Sequence, residues 1–179
     1  MKLTFASPGT LLFVLFSLCG WFTVKYFTAS NQFFILDGRA HFNSISWYIS
    51  NFTYVFGHQS FLHLVGNLSL ILLLGPLIEL KFGTKKLVIM TVITAILTAI
   101  LHTLLWDNGL MGASGIAFMY IVLSSLLGSK GKEIPFTFIL IIFLYLGQEI
   151  NSSFQQDSIS HFAHLFGGAM GAFWGFYQK

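Results

Sequence analysis

Long apolar runs separated by short polar connections dominate the chain. A membrane-spanning helix needs about 20 predominantly apolar residues, and charge-free runs of about that length recur along the whole sequence. This pattern predicts an all-α polytopic membrane protein, a single domain over residues 1–179 built as a bundle of six transmembrane helices. The predicted spans are Leu3 to Val24, Phe61 to Leu80, Leu87 to Trp106, Asn108 to Ser129, Ile134 to Gln148 and Ser158 to Gln178. The fifth run is short, so we expect its helix to be tilted, thinly embedded or mobile.

Composition supports the same fold class. Only 8% of the residues are charged and 55% are hydrophobic, whereas about a quarter of the residues in a soluble domain are charged. Too few charged side chains are present to cover a soluble surface, so the lipid bilayer is the expected surrounding. Cys19, the single cysteine, lies within the first span and predicts no disulfide. The net charge of +3 follows from topology and gives no reason to expect nucleic acid as a partner.

Charge placement predicts the orientation in the membrane. In a six-span arrangement one side carries only two cations, Lys25 and Arg39, together with the acidic residues Asp37, Asp107, Glu149 and Asp157. The opposite side carries Lys2, Lys81, Lys85, Lys86, Lys130, Lys132 and Lys179. Because positive charge marks the cytoplasmic side, both termini are expected in the cytoplasm. A cleaved signal peptide ending at "FTAS" is the alternative for the first segment, but its removal would leave five spans and break the charge alternation.

The one long loop, Thr28 to Gln59, falls on the non-cytoplasmic side. It is rich in aromatic residues and serine, as in "HFNSISWYISNFTYVFGH". This composition suits a segment lying in the membrane interface, and an ordinary belt of aromatic residues explains it equally well.

Polar residues inside spans carry most of the functional information, because each is costly there and usually faces the protein interior. His63 and Asn67 are four positions apart and therefore share a face of the second span. His58 lies just before that helix, close enough to fold back over its end. Taken alone, the pair is explained better by an interhelical hydrogen bond that holds the bundle together.

Ser114 opens the fourth span between small residues, in "GASG". A serine in a membrane helix usually bonds to its own backbone. Here Gly112, Ala113 and Gly115 leave its hydroxyl and amide uncovered and allow another backbone to approach. The sixth span supplies such a neighbour, since Ala163, Gly167, Gly171 and Gly175 recur every four residues as a smooth packing stripe.

His164 lies beside that stripe at the same membrane depth as Ser114. Docking of the stripe on the fourth span would bring this imidazole within reach of the serine hydroxyl. His161, three residues earlier, points about 60° away by the 3.6-residue repeat. The small residues around Ser114 therefore allow a base from another helix to reach it.

Together these motifs resemble the rhomboid intramembrane serine proteases. The resemblance rests on H-x4-H-x3-N in the second span, G-x-S-G at the fourth and A-H-x2-G-x3-G in the sixth, over about residues 57–175. "IELKFG", from Ile78 to Gly83, is similar to the family's acidic, glycine-ended turn after the second span.

The resemblance implies an intramembrane serine endopeptidase of a bacterial inner or plasma membrane that needs no cofactor and no metal. Its substrates would be transmembrane proteins, cut near the non-cytoplasmic face at a small residue. Ser114 would be the nucleophile and His164 the general base. His58, Asn67 and the Ser114 backbone N–H would form the oxyanion hole, with His63 in support. No intramembrane carboxylate is placed to complete a triad, so a Ser-His dyad is expected.

Two positions depart from the family pattern. Trp47 is followed by Tyr48 where the family often has Trp-Arg, and Phe118 occupies the place of a tyrosine that stacks against the base. Phe118 keeps the aromatic ring, so the site is expected to tolerate the change. The short chain also fits a rhombosortase-like branch.

Other functions find less support. His161 and His164 lack a third metal ligand, and the spans lack the two acidic residues that an aspartyl protease requires. A transporter is disfavoured because the polar groups cluster at one depth. His41 and His102 are expected to be interfacial or packing residues. A catalytically silent rhomboid-like scaffold, which binds membrane proteins without cutting them, remains the alternative, although such proteins typically lose the serine or the histidine.

Overall fold

The computed structural model describes residues 6–129, 133–147 and 161–178, and within these ranges the chain is helical. Two short 3-10 helices, Thr28–Phe33 and Tyr54–Phe56, flank α2, and α6 continues as a π-helical turn, Ile142–Leu146. The α-helices are α1 (Pro8–Tyr26), α2 (Ile45–Thr53), α3 (Phe61–Phe82), α4 (Thr84–Leu105), α5 (Ser114–Ser125), α6 (Phe136–Ile141) and α7 (His161–Tyr177). The predicted all-α fold is confirmed.

Within the described ranges, three helices, α1, α3 and α4, are long and apolar enough to cross a membrane. Helices α5 and α6 are apolar but shorter. The span predicted from Asn108 begins as a helix only at Ser114, because residues 106–113 form a loop that packs against the segment after α1. Lys2, Lys130, Lys132, Lys179, Glu149, Asp157 and parts of the first, fifth and sixth predicted spans lie outside the described residues.

Glu79, near the end of α3, connects three helices. Its carboxylate accepts hydrogen bonds from the backbone N–H groups of Gly9 and Thr10 at 2.8 and 2.9 Å, and from the hydroxyls of Thr10 and Thr84 at 2.8 and 2.7 Å. The Ser7 side chain makes no cap hydrogen bond at the start of α1. Glu79 therefore caps α1 from another helix, where an acidic group also favours the positive end of the helix dipole.

Helix α5 lies at the centre of the bundle, and α7 packs across it through glycines. A Cβ atom on Gly167 would collide with the Gly115 carbonyl oxygen, and one on Gly171 would lie 2.5 Å from the Met119 carbonyl oxygen. A Cβ atom on Gly175 would meet the flexible Leu126 side chain. The predicted glycine stripe is thus the surface of α7 that contacts α5, and a side chain at Gly167 or Gly171 would push the helices apart.

The loop before α5 is fixed by backbone hydrogen bonds to the preceding long loop. Leu36 and Leu110 form an antiparallel bridge with N–H to carbonyl distances of 3.0 and 2.9 Å. The Gly112 N–H donates to the Tyr54 carbonyl oxygen at 2.9 Å. On the outer side of the long loop, Phe42, Ile45, Tyr48 and Phe52 are exposed, a surface compatible with both the interfacial segment and the aromatic belt.

Candidate active site

Three helices begin at one end of the bundle and carry the polar residues singled out in the sequence. Helix α3 begins at Phe61 and α5 at Ser114, and the described part of α7 starts with His161. His63 and Asn67 lie in the first two turns of α3, and His164 lies in the first turn of α7. His58 immediately precedes α3. The fold therefore gathers all five side chains at the same end of the bundle.

Ser114 is the first residue of α5. Residue Ala113 occupies the cap position and provides no side-chain hydrogen bond. The first N–H groups of a helix have no partner within it and carry the positive end of its dipole. The start of α5 therefore presents N–H donors to any negative charge that develops beside the Ser114 hydroxyl.

Gly112 explains part of the requirement for small residues before the serine. Its φ is +127°, a conformation that L side chains rarely adopt, and a Cβ atom there would lie 2.7 Å from the His63 Cε1 atom. The His63 ring thus covers the chain directly before Ser114. Any larger residue at this position would strain the backbone and displace that ring.

His164 faces α5. Its imidazole stacks on the Phe118 ring with centroids 4.5 Å apart and planes within 7°. Next to it, the Ala163 carbonyl oxygen lies 3.0 Å from where a Gly115 Cβ would be. Helices α5 and α7 therefore touch backbone to backbone beside both Ser114 and His164. The stacking expected of Phe118 is present without the hydroxyl that a tyrosine would add.

His161 occupies a different position around α7. Its ring meets that of His164 edge-on, at a centroid distance of 6.5 Å. The stack on Phe118 belongs to His164 alone of the two. The contacts thus agree with the helical rotation predicted from the glycine spacing.

Asn67 and His58 bring buried polar atoms to this end of the bundle. Both side chains are buried, and the Asn67 Nδ2 and His58 Nε2 atoms find no hydrogen-bond partner among the described residues. Buried polar groups are nearly always paired in native proteins. The Asn67 amide is therefore a donor available to a bound ligand or a reacting group.

The His58 ring is held by its other nitrogen. Nδ1 lies 3.2 Å from the Phe56 carbonyl oxygen, and burial, together with the nearby charge of His63, lowers the pKa of His58 to about 4. The ring is therefore neutral at pH 7. Because a carbonyl oxygen only accepts, Nδ1 carries the hydrogen and Nε2 is left as an acceptor. Donation from Nε2 would require the other tautomer, which releases Phe56.

His63 lies between His58 and the loop that leads to Ser114. Its ring meets that of His58 at a centroid distance of 5.1 Å and an angle of 67°, and its other neighbour is Gly112. Among the described residues no group of three or more His, Cys, Asp or Glu side chains has the arrangement of a metal site.

The acidic residues of the described part lie elsewhere. Glu79 follows His63 by 16 positions on the same helix, which separates the two Cα atoms by about 24 Å. Asp37 and Asp107 are exposed loop residues, and the His41 ring lies 3.0 Å from the Asp37 carboxylate. The buried carboxylate of Glu79 is thus too distant to orient a histidine at this end.

Sequence reasoning missed two residues near the site. Tyr54 is buried and holds Gly112 through its carbonyl oxygen, a backbone contact that no residue spacing reveals. His102, expected to be a packing residue, is buried and its Nε2 donates to the Asn108 carbonyl oxygen at 2.7 Å. The four-residue spacing of His102 and Trp106 is the sequence signal that could have indicated the contact between their rings.

Comparison with known proteins adds two findings. The sequence model of the Rhomboid domain family matches residues 44–178, most of the chain. The chain is also similar to Rhomboid protease GlpG of Haemophilus influenzae, at 25% identity over 122 residues, which cover 66% of this chain and 64% of the relative. The chain thus spans slightly less than two thirds of that relative's length.

Proposed function

The chain belongs to the rhomboid family, and on that premise we propose that it is an intramembrane serine endopeptidase with a Ser114–His164 dyad. The observation that supports the proposal is the close contact of α5 and α7 at Gly115 and Gly167, next to Ser114 on one helix and three residues after His164 on the other. The stack of His164 on Phe118 holds the imidazole on the α5 side. A base held on the serine side is what an unactivated hydroxyl needs.

In the proposed reaction, the Ser114 hydroxyl attacks the scissile carbonyl carbon and passes its proton to His164. The carbonyl oxygen becomes an oxyanion, which the Ser114 backbone N–H and the Asn67 Nδ2 group stabilise. His164 then returns the proton to the departing amine, leaving an acyl-enzyme. A water molecule, deprotonated by His164, hydrolyses the ester and restores the serine.

His58 and His63 have supporting parts in this proposal. His58 contributes a third donor when its tautomer changes, and the His63 ring packs beside Gly112, which leads to Ser114. Preorganised donors are most effective where water is excluded, and the burial of Asn67 meets that condition. Gly115, Gly167 and Gly171 act by letting the helices approach.

We further propose that both termini are cytoplasmic and that the dyad lies towards the opposite face. The Lys86 Nζ donates to the Gln178 side-chain oxygen at 2.7 Å, which puts the start of α4 and the end of α7 on one side. Glu79 holds the start of α1 on that side too. Lys81, Lys85 and Lys86 lie there, and the positive-inside rule makes this side cytoplasmic. Cysteine-accessibility mapping that placed Lys85 outside would overturn this orientation.

The proposed substrate is a transmembrane helix cut near its non-cytoplasmic end. The test is to reconstitute the full chain in liposomes with single-span proteins that carry small residues at that depth, and to measure both binding and cleavage. We expect mapped cleavage products with the wild type and with Ser69→Ala, and none with Ser114→Ala. Ser69 is a matched control, because its exposed hydroxyl bonds to the Val65 carbonyl oxygen of its own helix at 2.7 Å.

The scaffold alternative makes a different prediction in the same experiment. A rhomboid-like protein that only binds membrane proteins would retain the substrates uncut with the wild type and Ser114→Ala alike. If the wild type and both variants bind the substrate and leave it uncut, the protein is a scaffold and the protease proposal is wrong.

A further inference from the structure

A column of stacked rings connects the end of α4 to the start of α7. The His102 and Trp106 rings are nearly parallel, with planes 12° apart and centroids 6.0 Å apart. Trp106 in turn stacks on Phe162 at 4.2 Å and 29°. Phe162 lies in the first turn of α7, two residues before His164. The column therefore braces the part of α7 that carries the proposed base.

The same histidine also holds the loop that leads to Ser114. The His102 Nε2–H donates to the Asn108 carbonyl oxygen at 2.7 Å, the short end of the range for such bonds. Further along the loop, Leu110 pairs with Leu36, and Gly112 donates to Tyr54. Asn108, Leu110 and Gly112 are alternate residues, so the loop is anchored at every second position before Ser114. His102 supplies the first anchor, and it is the one made by a side chain.

From these two contacts we propose that His102 is a positioning residue that sets the separation of Ser114 and His164. One ring nitrogen fixes the loop ahead of the serine, while the ring face fixes the helix of the histidine through Trp106 and Phe162. A single buried side chain thus fixes both partners of the dyad. This inference rests on the proposed function, because it concerns the geometry of that dyad.

The contacts also define what each substitution removes. His102→Leu removes both the hydrogen bond and the ring, while His102→Gln keeps an N–H donor of similar reach. Trp106→Leu breaks the column and leaves the bond to Asn108 in place, while Trp106→Phe keeps an aromatic face. Trp106 is 39% exposed, so the space that its substitution leaves opens to the surface, which is compatible with folding.

The experiment measures the rate of Ser114 labelling by a fluorophosphonate probe, together with kcat and KM for substrate cleavage, in the full chain. We expect His102→Leu and Trp106→Leu each to slow labelling on the order of tenfold to a hundredfold, since a misplacement of about 1 Å can cost about a hundredfold. The loss should fall on kcat and spare KM. His102→Gln, which keeps the hydrogen bond but not the ring face, should restore part of the rate, and Trp106→Phe should restore most of it. His41→Leu, an exposed-histidine control, should match the wild type.

The double variant His102→Leu/Trp106→Leu sharpens the test. If both residues act on α7 through one column, the combined loss is smaller than the product of the single losses. Wild-type labelling by folded His102→Leu and Trp106→Leu would overturn the inference, as would equal rates for Leu and Gln at position 102. If His102→Leu does not fold, the comparison of Trp106→Leu with Trp106→Phe tests the inference. An unlabelled wild type would overturn the proposed function itself, and with it the dyad that His102 is proposed to position.

Discussion

The two ends of α3 each bury a polar side chain, and the two side chains differ in the hydrogen bonds that they make with the described residues. At the C-terminal end the Glu79 carboxylate accepts four hydrogen bonds from α1 and α4. At the N-terminal end the Asn67 Nδ2 atom has no partner among the described residues. The two residues are equally buried, with Glu79 4% and Asn67 6% exposed. The two ends of α3 therefore differ in hydrogen bonding and not in burial.

On the proposed function, the Glu79 end holds the bundle together and the Asn67 end serves the reaction. An unpaired buried donor costs about 1–3 kcal/mol, and natural proteins retain such costs mainly at functional sites. At the Glu79 end, the hydrogen bonds join α3 to α1 and α4. The Asn67 end lies beside the α5 N-terminus, where a transient negative charge would find donors already in place.

The largest expected effect concerns the two histidines of α7. His164→Ala removes the proposed base and should abolish proteolysis, because an unassisted serine hydroxyl is a weak nucleophile. His161→Ala should retain substantial activity, since its ring does not stack on α5. Cleavage rates of the two purified variants, compared at equal amounts of folded protein, check this. Activity in His164→Ala with loss in His161→Ala would require a different dyad.

Asn67→Ala should slow cleavage by about 10²–10³, the loss seen when one oxyanion donor is removed. Its melting temperature should change little, because the substitution removes a buried donor that has no partner among the described residues. His58→Ala should also slow cleavage, but less, since His58 must first change tautomer. A wild-type rate for Asn67→Ala would show that the unpaired end of α3 has no part in the chemistry.

Phe118→Leu should have an intermediate effect. It removes the ring on which His164 stacks, and we expect a loss of roughly tenfold, because a base acts only within hydrogen-bond reach of its proton. Phe118→Tyr keeps the ring and should stay close to the wild-type rate. Equal kcat values for Phe118→Leu and the wild type would show that the stack of His164 on Phe118 does not contribute to catalysis.

Much of this site could be predicted from sequence because its determinants are periodic. Gly167 and Gly171 lie four positions apart on α7, and this spacing predicted the face that meets α5. The same repeat placed His63 and Asn67 on one face of α3 and distinguished His164 from His161. Helix periodicity is a local property, so one sequence is enough to read it.

The remaining features depend on contacts between distant parts of the chain. Glu79 bonds to residues about 70 positions earlier, and Leu110 pairs with Leu36. No local spacing encodes such partners. The sequence therefore reveals the acidic turn but not the residues that bond to Glu79. The same limit made His102 look like one more packing residue, because its partners Asn108 and Phe162 come together only in the fold.

The smallest effect on the chemistry is expected from Glu79→Ala. It leaves four donors unpaired and should lower the free energy of unfolding by about 3 kcal/mol or more, the range for breaking a buried, hydrogen-bonded group. The labelling rate per folded molecule should stay unchanged. Lys85→Gln, an exposed charge at the same end, is the matched control and should change neither quantity. A slower reaction in the folded fraction of Glu79→Ala would mean that the two ends of α3 are coupled.

The most direct measurement is to react the full chain with a fluorophosphonate probe and map the modified residue by tandem mass spectrometry. The probe needs an activated serine and no knowledge of the substrate. The proposed dyad predicts an adduct on Ser114 in the wild type, formed more slowly in Asn67→Ala and absent in His164→Ala. A wild-type protein without a Ser114 adduct, or an undiminished adduct in His164→Ala, would contradict it.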